Sequence, residues 1–250
     1  MDAEAPTKPM IDRLSIRSRP PGHPIMHQVW DKLLFLHWQV SAAALRPRIP
    51  DRLTIDTFED GAWVGIIPFT MHGIRPVYLP ALPLASRSRE INVRTYVHLE
   101  GVPGVWFFSL DADNPLAVLG ARAGFALPYY QARMMLQEQG GTIRFTSRRV
   151  LAGPRATFEA EWEGGERLPD ALPGTLEFFL IERYCLYAIR GRRLYRARIY
   201  HSPWPLRQAR LLSLSSSMLQ AQGLHAPEEE PLVHQQADPL HVEIWSPERV

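Results

Sequence analysis

Regular alternation of apolar and polar positions predicts β-strands along most of the chain. The clearest case is residues 90–99, EINVRTYVHL, where every second side chain is apolar or β-branched. Because successive side chains of a strand point to opposite faces, the polar ones share one face. They are Glu90, Asn92, Arg94, Tyr96 and His98. Such a face normally meets water, but in a closed sheet it can instead line a cavity.

Further strands are predicted by short runs of β-branched, aromatic and aliphatic residues between glycines and prolines. They cover residues 61–75, 105–110, 129–136, 142–150, 155–162, 176–181, 184–189, 194–201 and 241–245. Residues 206–222 fit either a helix or a final pair of strands. So many antiparallel-looking strands, with few helices, predict a mainly β (α+β) protein built as a barrel or sandwich.

Helical spacing appears in residues 115–130, PLAVLGARAGFALPYY. Pro115 suits the first position of a helix and Gly124 can end it, so we predict a short amphipathic helix between them. Its apolar positions are Leu116, Leu119 and Ala123. Arg122 lies in this helix without a nearby acid in the sequence, so its partner must come from elsewhere.

Two segments near the N-terminus have less regular patterns. Residues 27–38 permit an amphipathic helix that passes into a strand near His37, with Lys32 on its polar side. Residues 1–24 carry five prolines among charged residues and predict an extended arm on the surface. The proline-rich residues 76–83 are long enough to form a lid or rim.

Composition narrows the class of protein. A chain of 250 residues with 46% apolar content can form one domain over residues 1–250. A net charge of +2 gives no electrostatic reason to expect nucleic acid as a partner. With one cysteine, Cys185, no apolar leader and no run long enough to span a membrane, we expect a cytoplasmic protein without membrane association.

Lysine is rare in this chain, and this limits its chemistry. Lys8 and Lys32 are the only lysines among 28 basic residues. Arginine stays protonated and cannot act as an amine nucleophile, so only these two side chains could form an imine. No metal-ligand spacing and no nucleotide-binding motif occurs, and we expect no metal and no cofactor.

Residues 100–133, EGVPGVWFFSLDADNPLAVLGARAGFALPYYQAR, resemble the core of acetoacetate decarboxylase. That family has a glycine turn, an apolar strand, an Asp-Asn or Asn-Glu-Pro sequence, a helix, and then Tyr-Pro-Lys-Lys. Its first lysine forms a Schiff base, and its second lowers the pKa of the first. Tyr129 and Tyr130 stand at these two positions here. The resemblance therefore implies the family's fold without its imine chemistry.

The whole chain resembles the uncharacterised bacterial YqjF-like family of the same superfamily more closely still. The motifs that carry this resemblance are LLFLHW (33–38), EINVRTYV (90–97), GVWFFSLDA (104–112), LPYY (127–130), GTLEFFLIERYCLY (174–187) and HSPWPL (201–206). The fold implied is an acetoacetate-decarboxylase-like antiparallel β-barrel with a few short helices.

The resemblance also suggests site residues. Glu90 aligns with the active-site glutamate of acetoacetate decarboxylase, and Tyr129 is the tyrosine expected to enter the cavity. We treat both as candidate catalytic groups, with Arg94 or Arg122 holding a carboxylate or enolate oxygen. Further candidate ligand contacts are His37, His201 and Tyr96. The alternatives are a structural salt bridge for Glu90 and core packing for the tyrosines and histidines.

These features predict a cavity that binds a small, partly apolar carboxylic acid or carbonyl compound. If the protein is an enzyme, it acts by acid/base polarisation without a Schiff-base lysine, as a lyase, isomerase or hydratase. The alternatives are a non-catalytic ligand-binding or sensing module and a purely structural scaffold. The expected partner is a small molecule, and homo-oligomer formation stays open.

Overall fold

The computed structural model describes residues 11–81, 86–150, 153–225, 227, 230–231 and 233–250. Within them, fifteen strands form one continuous sheet. The strands are β1 Met26–Asp31, β2 Leu33–Val40, β3 Thr54–Ile55, β4 Ala62–Pro76, β5 Arg87–Leu99, β6 Val102–Ala112, β7 Tyr129–Gln139, β8 Thr142–Arg149, β9 Thr157–Arg167, β10 Cys185–Arg190, β11 Arg193–Tyr200, β12 Leu206–Ser216, β13 Val233–Ala237, β14 Leu240–Ile244 and β15 Glu248–Arg249.

Short helices connect the strands. They are α1 Ala42–Leu45, α2 Pro115–Phe125, α3 Leu176–Ile181 and α4 Met218–Ala221, with 3-10 turns at Ser15–Arg17 and Arg46–Arg48. The described part of the predicted N-terminal arm, residues 11–24, is irregular apart from the first of these turns. No helix in the described ranges has the length and apolar content needed to cross a membrane. The predicted mainly β class with few short helices is confirmed.

The strand pairings close two rings that share β4, β5 and β6. The seven-stranded ring continues from β6 through β10, β11, β14 and β1 back to β4. The nine-stranded ring continues from β6 through β7, β8, β9, β12, β13 and β2 back to β4. Most pairings are antiparallel, as predicted, but β6 runs parallel to both β7 and β10.

The two faces of β5 belong to different environments. Ile91 and Val93, both fully buried, join the hydrophobic core of the nine-stranded ring. That core also holds Phe145, Phe158 and Trp162, each at most 1% exposed. The polar residues at positions 90, 92 and 94 of β5 point the other way, into the seven-stranded ring. The predicted alternation of this strand is confirmed, and of the two environments left open for its polar face these three positions have the cavity.

Residues 27–38 are two strands, and the prediction of a helix there was wrong. Lys32 breaks the segment with a left-handed backbone, φ 55°, between β1 and β2. β2 is hydrogen-bonded to β13 and β4 and is buried on both faces from Leu33 to His37. A strand buried on both faces has a continuous apolar sequence, which does not distinguish it from a buried helix.

The opposite error occurs at residues 176–181, which were predicted as a strand and form α3. Thr175 caps this helix, because its hydroxyl accepts a hydrogen bond from the Phe178 backbone nitrogen at 3.3 Å. The four residues 178–181 are all buried, so the helix has no polar stripe that would show its period. Residues 206–222 divide into the strand β12 and the short helix α4.

The predicted helix at Pro115 is present as α2, but its exposed and buried faces differ from the prediction. Val118 is buried, whereas Leu116 and Leu119 are 58% and 67% exposed. The helix ends at Phe125, one residue beyond the predicted end at Gly124, and Ala126 adopts a left-handed conformation. α2 thus lies at the protein surface beside the seven-stranded ring and exposes two leucines there.

Candidate functional site

A cavity of about 460 Å³ lies inside the seven-stranded ring. All seven strands of the ring contribute side chains to its wall, and α2 covers part of it. Most of these side chains are apolar, including Trp30, Phe35, Phe69, Phe107 and Trp204. Leu79 and Pro80, from the described part of the predicted rim at 76–83, also line it, while residues 82–83 lie outside the described ranges.

Glu90 and Tyr129 form the polar centre of one end of this cavity. The Tyr129 hydroxyl donates a hydrogen bond of 2.8 Å to Oε2 of Glu90. Glu90 is 3% exposed, and both residues line the cavity. These two candidate catalytic residues are therefore brought together.

Burial changes the proton affinity of both groups. Desolvation raises the pKa of Glu90 to about 8; the nearby Asp111 charge adds to this shift, and hydrogen bonds from Tyr129 and Asn92 oppose it. Desolvation, and then the charge of Glu90, raises the pKa of Tyr129 well above its ordinary value. Near neutral pH Glu90 is therefore mostly protonated and Tyr129 is neutral, so this end of the cavity carries little charge.

The helix α2 and the strand β7 fix the position of Tyr129. Pro128 forces extended backbone, and Tyr129 then starts β7 opposite Leu110 of β6. The Nε of Arg122 donates a hydrogen bond of 2.8 Å to the Tyr129 carbonyl oxygen. Arg122 is exposed and does not line the cavity. The sequence predicted that Arg122 would have a partner outside its own helix, and the Tyr129 carbonyl is that partner. The structure therefore does not bring Arg122 to the other candidate ligand contacts.

Tyr130 points away from the cavity, as expected for the neighbour of Tyr129 on a strand. The guanidinium carbon of Arg149 lies 3.7 Å from the centroid of its ring. Arg149 also forms a buried ion pair with Asp111, with two hydrogen bonds of 2.6 and 2.8 Å. Tyr130 is thus part of a structural cluster on the other side of the sheet.

Arg94 is the cationic group of the opposite end of the cavity. Its Nη2 donates to the Leu180 carbonyl oxygen at 3.2 Å, and its guanidinium lies over the rings of Phe35 and Tyr96. No carboxylate of the described residues lies within 4.0 Å of it. Arg94 therefore lines the cavity without a carboxylate partner among the described residues, and its role in holding an anion stays a prediction.

Arg183 lines the same end, although the sequence did not single it out. It donates to Asp56 at 2.8 Å and to the Phe179 carbonyl oxygen at 2.6 Å. The sequence does carry a signal for it, because Glu182 and Arg183 interrupt the otherwise apolar and aromatic residues 178–189. A charge inside a buried segment usually has a buried partner or a function.

His37 and Tyr96 pack beside the cavity without lining it. The Nε2 of His37 lies 2.6 Å from the Tyr96 hydroxyl, and both side chains are fully buried. Desolvation, and then the charge of Arg94, lowers the pKa of His37. The pair thus forms a buried core contact behind Arg94, and its predicted role in ligand binding stays untested.

His201 is also a core residue that does not line the cavity. Its ring stacks on Tyr184 with centroids 4.4 Å apart, and its Nδ1 lies 2.7 Å from the Ser202 carbonyl oxygen. Burial lowers its pKa. Its predicted role as a ligand contact or base likewise stays a prediction.

Amine and thiol chemistry has little support in the described cavity wall. None of its residues is a lysine. Lys32 forms an ion pair with Glu138 at 2.8 Å outside the cavity, and Lys8 lies outside the described ranges. Cys185 lines the cavity, but burial raises the pKa of its thiol to about 12. A thiol with such a pKa stays protonated and is a poor nucleophile.

Solved structures of similar fold identify the fold class of this chain. MppR, an enduracididine biosynthesis enzyme solved with pyruvate, matches with a TM-score of 0.62 at 13% identity, covering 91% of each chain. An acetoacetate decarboxylase-like enzyme from Sphingomonas wittichii RW1 gives 0.61 at 11%, covering 92% of this chain and 94% of that one. Acetoacetate decarboxylase from Legionella pneumophila gives 0.59 at 13%, covering 92% and 88%. The acetoacetate-decarboxylase-like fold is thereby confirmed.

Sequence similarity identifies the family within that class. The chain belongs to the DUF2071 family, described as an uncharacterized conserved protein, whose profile matches residues 27–238. The uncharacterized protein YqjF of Bacillus subtilis strain 168 is 40% identical over 217 residues, covering 87% of this chain and 89% of YqjF. The resemblance to the YqjF-like family is therefore confirmed.

Proposed function

We propose that this protein binds a small, partly apolar carboxylic acid or carbonyl compound in the cavity of the seven-stranded ring. The observation that carries the proposal is the buried Glu90–Tyr129 pair, hydrogen-bonded at 2.8 Å in the wall of a largely apolar cavity of about 460 Å³. An apolar pocket with a few convergent polar groups and a perturbed carboxyl pKa is the usual form of a small-molecule site. The pyruvate bound in MppR supports a small oxo acid as the kind of ligand.

Each polar group has a distinct role in this proposal. Arg94 attracts the carboxylate or enolate oxygen, because its guanidinium has no carboxylate partner among the described residues. Tyr129 and the protonated Glu90 donate hydrogen bonds to the carbonyl or hydroxyl oxygen of the ligand. A carboxyl with a pKa of about 8 can both give and accept a proton near neutral pH, as general acid/base catalysis requires.

Any catalysis at this site proceeds without an imine. A phenol can polarise a carbonyl oxygen, but it cannot form a Schiff base, and no lysine is present in the described cavity wall. Treatment with pyruvate or a larger 2-oxo acid and borohydride should leave the mass of the protein unchanged. A trapped adduct on Lys8 or Lys32 would overturn this part of the proposal.

The two adjacent tyrosines offer a matched test of the binding site. We expect Tyr129→Phe to weaken binding of a 2-oxo acid about tenfold in calorimetry, because one hydrogen bond in the cavity is lost. Tyr130→Phe removes the same atom on the other side of the sheet and should leave the affinity unchanged. Equal effects of both substitutions, or none from Tyr129→Phe, would contradict the proposal.

Catalysis can be separated from binding by proton exchange. If Glu90 acts as a base, the wild-type protein exchanges the C3 protons of a bound 2-oxo acid with deuterated solvent, observed by NMR. Glu90→Gln should abolish this exchange while retaining bound ligand.

A non-catalytic binding or sensing protein is the second candidate. It is supported by the position of the two candidate histidines outside the described cavity wall, which leaves Glu90 as the one candidate base there. Binding without proton exchange in the wild-type protein would select this candidate.

A further inference from the structure

The cavity has a second polar centre, formed by two arginines that approach the same aromatic ring. The guanidinium carbons of Arg94 and Arg183 lie 5.6 and 4.7 Å from the ring centroid of Tyr96. Both arginines line the cavity, and α3 provides a backbone carbonyl for each of them, at Leu180 and Phe179. We call Arg94 and Arg183 together the arginine pair.

Positive charge exceeds negative charge around this pair. Asp56 is the carboxylate that contacts Arg183, at 2.8 Å, and it also forms two hydrogen bonds of 2.6 and 2.7 Å with Arg13. Three guanidiniums, those of Arg13, Arg94 and Arg183, are thus balanced by one carboxylate within the described residues. Buried charges without a counter-charge are costly, so an anion in the cavity would stabilise this end.

Hydrogen-bond donors of both arginines also lack partners. Nε of Arg94 and Nη2 of Arg183 are buried and have no hydrogen-bond acceptor in the described structure, and Arg183 is only 5% exposed. A buried charged donor without an acceptor costs more than a neutral one. A carboxylate offers two oxygens and matches guanidinium donors well.

The arginine pair lies at a distance from the Glu90–Tyr129 pair. Glu90 and Arg94 lie four residues apart on the same face of β5, which places their Cα atoms roughly 13 Å apart at about 3.3 Å per residue. Between them, Oδ1 of the buried Asn92 has no hydrogen-bond partner. The Arg94 side chain reaches further away, toward Tyr96. A 2-oxo acid such as pyruvate, whose carboxylate and carbonyl are adjacent, can occupy one of the two centres at a time, and contact with both requires a longer ligand.

We infer that the ligand is a longer amphipathic anion with its carboxylate at the arginine pair and a carbonyl or hydroxyl oxygen at Glu90–Tyr129. An apolar body of roughly six to ten carbons connects the two ends, since an extended chain advances about 1.2 Å per bond. The aromatic and aliphatic wall encloses this body. The inference rests on the proposed function and narrows its substrate class.

Calorimetry with a series of unbranched ω-hydroxycarboxylates, from about four to twelve carbons, tests the length and the charge together. Each acid is compared with its primary amide, which has the same shape and no charge. We expect the tightest binding at intermediate length, with the acid bound about 10- to 100-fold more tightly than its amide.

Variants of Arg94 assign that preference to the arginine pair. Arg94→Gln should remove most of the difference between acid and amide, and Arg94→Lys should keep part of it. Arg192→Gln, at an exposed turn outside the cavity, removes the same charge from the surface and should behave as wild type. If Arg94→Gln does not fold, the comparison of each acid with its amide in the wild-type protein still tests whether the ligand binds as an anion.

Three results would overturn the inference: equal affinity for acid and amide, an acid preference that survives Arg94→Gln, or tightest binding of the shortest acid. In each of these cases the probes still bind, so the proposal that the protein binds a small molecule stands, while the assigned role of Arg94 or the expected ligand length is refuted. Absence of binding for every acid and amide would contradict the proposed function as well as this inference.

Discussion

The two rings of the sheet share three strands but differ in what fills them. In the nine-stranded ring, Phe145 and Phe158 pack with ring centroids 6.3 Å apart, and Trp162 is fully buried beside them. In the seven-stranded ring, aromatic side chains of similar size surround a cavity of about 460 Å³. β5 contributes to both rings, with apolar residues on one side and Glu90, Asn92 and Arg94 on the other. One strand thus contributes to a packed core on one face and to a cavity wall on the other.

This difference has an energetic consequence. A close-packed core gains dispersion and burial energy from every side chain, whereas a cavity wall loses those contacts on one side. The seven-stranded ring also holds the carboxyl group of Glu90 and the guanidinium of Arg183 away from water. The packed ring therefore contributes more of the folding free energy, and the cavity ring retains groups that a ligand would satisfy.

Matched truncations in the two rings should show the largest effect. We expect Phe145→Ala, in the packed core, to lower the free energy of unfolding by about 3–5 kcal/mol, because it removes a fully buried ring and leaves a void. Phe69→Ala, in the cavity wall, should cost at least about 1 kcal/mol less, because one side of that ring already borders empty space. Urea unfolding measures both, and a larger loss for Phe69→Ala would refute the comparison.

Glu90 should make the free energy of unfolding depend on pH. Its apolar neighbours on the packed face of β5, Ile91 and Val93, have no titratable group and make no such contribution. The pKa of Glu90 is about 8 in the folded protein and near 4.5 when unfolded, so the folded state retains a proton that the unfolded state releases between these values. Its contribution to stability is therefore full below about pH 4.5 and is lost as the pH rises through about 8.

The expected size follows from linkage. The free energy of unfolding should fall by up to about 1.4 kcal/mol per pH unit within this window, or by about 2 kcal/mol between about pH 6 and pH 8. In Glu90→Gln this component is absent, so the stability of the variant relative to wild type should rise over the same interval. Parallel pH profiles for the two proteins would mean that Glu90 titrates normally.

The same comparison explains how much of the fold could be predicted from the sequence. The alternation of residues 90–99 predicted β5 correctly, because its two faces differ in polarity. Residues 27–38 and 176–181 were assigned wrongly, because the buried parts of both, 33–36 and 178–181, are continuously apolar and do not distinguish a strand from a helix. The closure of the sheet into two rings depends on pairings between distant strands, which a local pattern does not encode.

The candidate site was predicted in part for a similar reason. Glu90, Arg94 and Tyr129 were found through a strand pattern and a family resemblance, and the structure brings all three to one cavity. Arg183 was missed, because its role depends on Asp56, which lies 127 residues earlier in the chain. His37 and His201 occur among aromatic residues, a pattern that core histidines and catalytic histidines share.

The smallest effect is expected at Lys32, where the chain passes from β1 of the cavity ring to β2 of the packed ring. Its ammonium forms an ion pair with Glu138 at 2.8 Å, and both side chains are partly exposed, at 29% and 48%. Lys32→Gln should therefore change the free energy of unfolding by less than about 1 kcal/mol. Because Lys32 lies outside the cavity wall, binding of a 2-oxo acid should also be unchanged in calorimetry. Loss of binding in this variant would mean that the Lys32 amine takes part in the binding site. The cavity ring would then contain a possible Schiff-base lysine, and the proposal of non-imine chemistry would fail.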